Sequence, residues 1–258
     1  MNGTLMSQVG TLDLVDLNAI SQYFGRDFMP YPFMFTQGPR FATRDDAAAY
    51  ADAVLERFNY GDLQIFVECA AAYDAADIRV ECRVQYIPAD TPSQRVIAYR
   101  TGHLGFFAAQ RPDEDVVDIY TVSPYDLGAA IADAVSLTQP GVHPAIVIPE
   151  YVPRGKAEFD EDPFDVRHRS ASASGITVPA SEVTAYSTIQ SHWRPTRKWG
   201  LDRGKRALVW VRVGDDGDYI YAADQTHARP MTRAFLHEQV DRLIADDVAV
   251  LREFRRES

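Results

Sequence analysis

The stretch IRVECRVQYIPADTPSQRVIAYRTGHLGFFAAQ (residues 78–110) decides the fold. It holds three runs rich in β-branched and aromatic residues, IRVECRVQYI, RVIAYRT and HLGFFAAQ, separated by Asp, Pro, Ser and Gly. That pattern predicts strands joined by short connections, an antiparallel meander. DVVDIYTV (115–122) continues it downstream, and LQIFVECAA (63–71) reads as a further strand upstream. In that reading a hairpin brings the two copies of Val-Glu-Cys together. Glu68 and Glu81 then form a candidate acid pair, more simply explained by cross-strand ion pairs with Arg79 and Arg83.

Helices are predicted on either side of the meander. TLDLVDLNAISQYFG (11–25) places Leu14, Leu17, Ile20 or Ser21, and Phe24 at helical spacing, with Gly25 suited to a left-handed helix stop. FMPYPFMF (28–35) carries Pro30 and Pro32, which lack the amides a central strand needs, and reads as an extended, partly buried connector. Thr43 and Asp46 form a capping pair for a helix with Ala47, Tyr50, Ala51, Val54, Leu55 and Phe58 on one stripe, closed by Gly61. Ser123, Pro124 and Asp126 open another, carrying Leu127, Ile131, Ala134 and Val135.

The pattern then breaks and restarts. After the short apolar run AIVIPEYV (145–152), residues 153–174 hold KAEFDEDPFD, RHR and SASAS, with little that could enter a core, and read as a mobile loop. Residues 179–193 read as a helix with Val183, Tyr186 and Ile189 on one face. RALVWVRV and DYIYAA follow as strands around the turn GDDG, and a long last helix carries Phe235, Leu236, Val240, Leu243, Ile244, Val248 and Leu251. The division is an N-terminal half (1–152), a flexible loop (153–174) and a C-terminal half (175–258), packed as one domain. The class is α+β, a central, mainly antiparallel, twisted sheet flanked by helices in two halves related by a pseudo-twofold.

Composition narrows the function. The chain has 258 residues, 26 basic against 37 acidic, a formal charge of -11, and only two cysteines. An acidic surface repels polyphosphate, and the densest basic stretches, 194–206 and 252–256, are short and include acids, so nucleic acid is not expected as a partner. Cys69 and Cys82 are too few for a disulfide framework and read as buried thiols. The opening MNGTLMSQVG lacks a basic start followed by an apolar run, and no stretch is long and apolar enough for a bilayer, so a cytoplasmic protein without membrane insertion is expected.

Motifs of chemistry are silent. The six histidines lie at no metal-ligand spacing, and Asp215, Asp216 and Asp218 lack the downstream glutamate of a calcium loop. No G-x-S-x-G elbow, phosphate loop or G-x-G-x-x-G occurs. No catalytic residue, cofactor or metal is therefore assigned, and a binding protein is expected.

The carboxy-terminal unit KRALVWVRVGDDGDYIYAADQTHARPMTRAFLHEQVDRLIADD (205–247) resembles the end of EspG family proteins, chaperones of type VII (ESX) secretion in actinobacteria. Trp210, Gly217, Tyr219, Leu236, Val240 and Leu243 carry the match. DLNAISQYFG, the alanine-rich helix ending at Gly61, SPYDLGAAIADAV and GITVPASEV fall in the family's order. One position departs: the family commonly has Gly-Arg-Tyr where this chain has Gly217, Asp218 and Tyr219. The resemblance implies a cytosolic chaperone, in two related halves with a C-terminal helical bundle, that grips the tip of a PE–PPE heterodimer, keeps it soluble and targets it to an ESX machine. It implies contacts from a loop between early strands, here Tyr86, Pro88, Asp90, Thr91, Pro92 and Gln94, and from the C-terminal helical region, here Phe235 and Gln239. An immunity-type or other protein-binding module is the alternative reading and an enzyme the third. The oligomeric state, a homodimer included, is left open.

Overall fold

A computed structural model describes residues 6–87, 90–151, 176–194, 199–221 and 226–257. Strand β1 (Ser7–Asp13) leads into helix α1 (Leu14–Tyr23), and α2 (Arg44–Tyr60), a 3-10 helix (Asp62–Phe66) and α3 (Val67–Asp74) follow. Four strands come next, β2 (Ile78–Tyr86), β3 (Gln94–Thr101), β4 (Leu104–Gln110) and β5 (Val116–Thr121), then α4 (Leu127–Ala134) and the short β6 (Ile146–Val147). The remainder is β7 (Ile176–Thr177), β8 (Val183–His192), β9 (Leu208–Val213), β10 (Gly217–Tyr221), β11 (Ala228–Pro230) and α5 (Arg233–Glu257).

All the strands join one sheet in the order β1-β5-β4-β3-β2-β8-β9-β10-β11-β6-β7, antiparallel except for the β6–β7 pair. The order runs outward in the same way from its centre. On one side lie β2, β3, β4 and β5 followed by α4, on the other β8, β9, β10 and β11 followed by α5. The seam is the long antiparallel pairing of β2 with β8, from Arg79 opposite His192 to Tyr86 opposite Ala185. The α+β class and the mainly antiparallel sheet are as expected.

Helices α4 and α5 cover one face. Their Leu127, Ile131, Leu236, Val240 and Leu243 pack on Val80, Cys82, Ile189 and Trp210 from the middle of the sheet. The opposite face carries two cores. Helices α1, α2 and α3 cover β3, β4 and β5 through Ile20, Phe58, Cys69, Tyr99, Phe106 and Ile119. Ile146, Ile148 and Val178 cover β9 and β10 through Val211, Val213 and Tyr219. Between those cores the seam strands expose a polar row to the interior: Arg79 and Glu81 of β2, Gln190 and His192 of β8, all buried.

Several local readings are realised. Thr43 accepts from the Asp46 amide and caps α2, Gly61 ends it, and Gly25 takes φ 75 beyond α1. Met29, Tyr31 and Phe33 of the proline connector are buried. Both cysteines are buried and unpaired, and loss of solvent pushes each thiol up to about 12. A thiol-reactive dye is therefore expected to label neither in the folded chain at pH 8 and both in urea; rapid native labelling would contradict this burial.

Other readings are corrected. Residues 63–71 form no strand but the 3-10 helix and α3, because Leu63, Phe66, Cys69 and Ala72 recur every third residue and are the ones buried. Glu68 is thus exposed on a helix, far from the predicted hairpin with Glu81. Glu81, Arg79 and Arg83 share one strand; across the seam Glu81 stands opposite Gln190 and reaches His192 diagonally, Nε2 to Oε2 3.4 Å. Residues 183–192 are a strand, not a helix: as the centre of the sheet β8 is buried on both faces, which hides its alternation. Helix α4 starts at Leu127, after a turn in which the Asp126 amide donates to the Ser123 carbonyl. Strand β1 has no counterpart in the sequence reading, and AIVIPEYV contains β6. At the C-terminal end of the described residues the long helix α5 packs along α4. The loop expected at 153–174 lies outside the described residues.

Candidate partner-binding surface

The residues proposed from the sequence lie around one end of the sheet. Tyr86 ends β2 and Gln94 begins β3; between them Pro88 and Ala89 lie outside the described residues. Asp90 and Thr91 are exposed, Pro92 is half-buried, and Ile87 presents an exposed apolar side chain. Gln94 itself turns inward. Its amide donates to the Ala134 carbonyl (3.3 Å) and the Ser136 hydroxyl (3.1 Å) and accepts from Tyr86 Oη (3.3 Å) and the Ser136 amide (3.2 Å). Every hydrogen-bonding position of that amide is used to fasten the base of the loop to the end of α4.

The same helix end holds α5. Arg233, in the first turn of α5, donates to the carbonyls of Ala132 (2.8 Å) and Asp133 (2.9 Å), a cation on the negative pole of α4. Phe235 and Gln239, one turn apart, line a groove of about 340 Å³ with Leu208 and Val209 of β9, Ile220 and Tyr221 of β10, and Arg206, Arg229 and Arg242. Its lining mixes apolar side chains with three arginines. Across the sheet a second groove of about 360 Å³ is walled by Gln85, Ile87, Tyr151, Tyr186, Val209 and Tyr221. The residue run 132–136 thus ties the β2–β3 connection and the start of α5 into one rigid corner.

A third component of that corner was not assigned a role from sequence. Asp218 is fully buried on β10, directly opposite Arg212 of β9. Its carboxylate accepts from Arg212 Nε (2.8 Å), the Thr138 amide (2.6 Å) and the Thr138 hydroxyl (3.0 Å). Arg212 also reaches the Ser136 carbonyl at 2.6 Å. Alongside, Tyr219 Oη donates to Asp216 and accepts from the His143 amide, and Gly141 lies flat against its ring. The signal existed in the sequence, since Arg212 and Asp218 flank the GDDG turn at positions that a hairpin places opposite one another.

Glu81 and His192, the buried acid and base nearest to a catalytic pair, lie within the seam at 2% and 4% exposure, on the face of the sheet away from α4 and α5. A sequence model of the EspG family matches residues 14–242. The chain belongs to the EspG family. EspG proteins are ESX secretion-associated chaperones, and the matched span runs from the first residue of α1 into the first half of α5. No curated protein matches this EspG chain. Among its described residues, no helix is long and apolar enough to cross a membrane.

Proposed function

We propose that this EspG protein acts in the cytoplasm as a chaperone for a PE–PPE heterodimer, gripping its helical tip and delivering it to an ESX machine. The observation that supports the reading is the corner at α4, where the exposed part of the β2–β3 connection and the groove at Phe235 and Gln239 share one anchor. A chaperone for an aggregation-prone tip needs an apolar floor, a polar rim and a rigid frame, and needs no reacting group. Ile87, Asp90 and Thr91 supply contacts on the loop side, and Phe235 and Gln239 on the helix side.

Co-expression with PE–PPE pairs from the same genome tests this. One pair is expected to co-purify and to gain solubility, and Thr91→Arg with Gln239→Arg is expected to weaken the complex by at least about tenfold, as bulky charges at an interface centre do. Both substituted residues are surface-accessible, so circular dichroism and the urea midpoint should be unchanged. Failure of every PE–PPE pair to bind would refute the substrate assignment, and scattering measurements on the free chain separate a monomer from a homodimer.

A further inference from the structure

Arg194, the first residue of one of the two densest basic stretches of the sequence, adjoins the other, 252–256, in the fold. Arg194 lies two residues beyond β8, and its guanidinium lies over the Trp193 ring at 4.0 Å and over the Phe254 ring of α5 at 4.4 Å. The two rings are themselves 5.5 Å apart. Farther along the β8–β9 connection, Lys205 and Arg206 pair with Asp247 and Asp246 of α5. Buried Gln190 holds the connection from the other face, donating to the Asp202 (2.8 Å) and Lys205 (3.1 Å) carbonyls and accepting from the Asp202 amide (3.0 Å). This is a fixed platform, at the opposite end of α5 from the corner described above. Phe254 lies 19 residues beyond Phe235, roughly 30 Å along a helix.

The charges there are unbalanced in a specific way. Asp77 is shared by Arg100 (3.2 Å) and Arg255 (3.8 Å), and Asp246 and Asp247 are paired as stated. The Asp202 carboxylate accepts from the Gly204 amide, and Glu253 and Glu257 remain exposed on α5. Arg194, Arg203, Arg252 and Arg256 are also exposed, and among the described residues none pairs with a carboxylate. The negative pole of α5 accounts for Arg255 and Arg256 in its last turn. It does not account for Arg194, which comes from another element, lies over two rings and, among the described residues, has no acceptor for its in-plane donors.

We propose that this end of the sheet is a second protein-binding surface, which takes an acidic segment of a partner with its carboxylates on Arg194 and Arg252 and an apolar side chain on Phe254. A stacked guanidinium is pre-organised for the two-pronged geometry of a carboxylate. On a chain of formal charge -11 an acidic partner is repelled by most of the surface and attracted here, so the patch also sets orientation. Arg206, paired with Asp246, also lines the groove at Phe235 and Gln239, but Arg194, Arg252 and Phe254 lie outside that groove.

The probe is a fluorescein-labelled peptide of glutamates around a central leucine, titrated with the full chain and followed by anisotropy. The lysine counterpart of the peptide, anionic phospholipid vesicles and a DNA duplex are the other arms. The acidic peptide alone is expected to bind, more weakly as salt rises. Arg194→Glu with Arg252→Glu is expected to weaken it at least about tenfold, with circular dichroism and PE–PPE co-purification unchanged. Arg194→Lys, which keeps the charge and loses the planar stack, should give an intermediate loss, and Thr91→Arg at the far corner none. Undiminished binding by the charge-reversed chain, or preference for vesicles or DNA over the peptide, overturns the proposal. Loss of PE–PPE binding with peptide binding intact would instead count against the substrate reading alone.

Discussion

Asp218→Ala is expected to lower the stability of the chain by about 3–5 kcal/mol, the range for breaking one side of a buried ion pair. The change should appear as a lower urea midpoint at unchanged slope. Asp218 is fully buried and neutralises Arg212, whose side chain is itself mostly buried, while the same carboxylate holds the backbone of Thr138. Removing it strands a cation and an amide together. Asp218→Ala with Arg212→Met should recover most of the loss, because a matched apolar pair has no charge left to solvate. An arginine at 218 would set two cations face to face across the hairpin. It should fold only when Arg212 is exchanged for an acid. A loss below about 1 kcal/mol on Asp218→Ala would mean that water reaches Arg212 and Thr138, and the buried anchor would be refuted.

Gly141→Ala is expected to cost about 3 kcal/mol, at the upper end for overpacking, although alanine is otherwise the mildest substitution available. A Cβ at 141 would sit within the Tyr219 ring, and the Pro140 and Asp218 backbones are bridged alongside, so neither wall can retreat freely. The ring can move only by giving up its bonds to Asp216 and the His143 amide. In a Tyr219→Leu background the same Gly141→Ala change should be close to neutral, and equal costs in both backgrounds would exclude the ring as the obstacle.

How far the fold could be read from the sequence depended on exposure. Strands β2 to β5 and β9 to β10 were legible because turn chemistry separates them, and α2 and α5 because each keeps one polar side. Strand β8 was misread because its position at the centre buries Ser187, Gln190 and Ser191 as thoroughly as Ile189, so polarity no longer marks a face. The helix at residues 67–74 was misread because Val67 and Cys69 favour a strand in isolation, and the alanines that follow decide otherwise only when packed on Tyr99. The site divided in the same manner. The loop and the start of α5 were named from family order, but the anchor that unites them consists mostly of bonds to main-chain atoms of residues 132–138, with only the Ser136 and Thr138 hydroxyls joining from side chains. The basic platform was visible as two runs, and only the path of α5 joins them.

The seam between β2 and β8 has a consequence in time. Val84 of β2 is bonded beside Ser187 of β8, and a ribosome adding about 5–20 residues per second needs on the order of ten seconds to make the residues between them. From the completion of β5 until Ser187 is made, the nascent chain carries a first meander whose innermost strand has an unpaired edge, lined by Val80, Cys82 and Val84 on one side and by Arg79, Glu81 and Arg83 on the other. The charged side of that edge discourages pairing with a neighbouring nascent chain. The buried Arg79 and Glu81 of the mature fold therefore also serve as temporary guards of a molecule still being made.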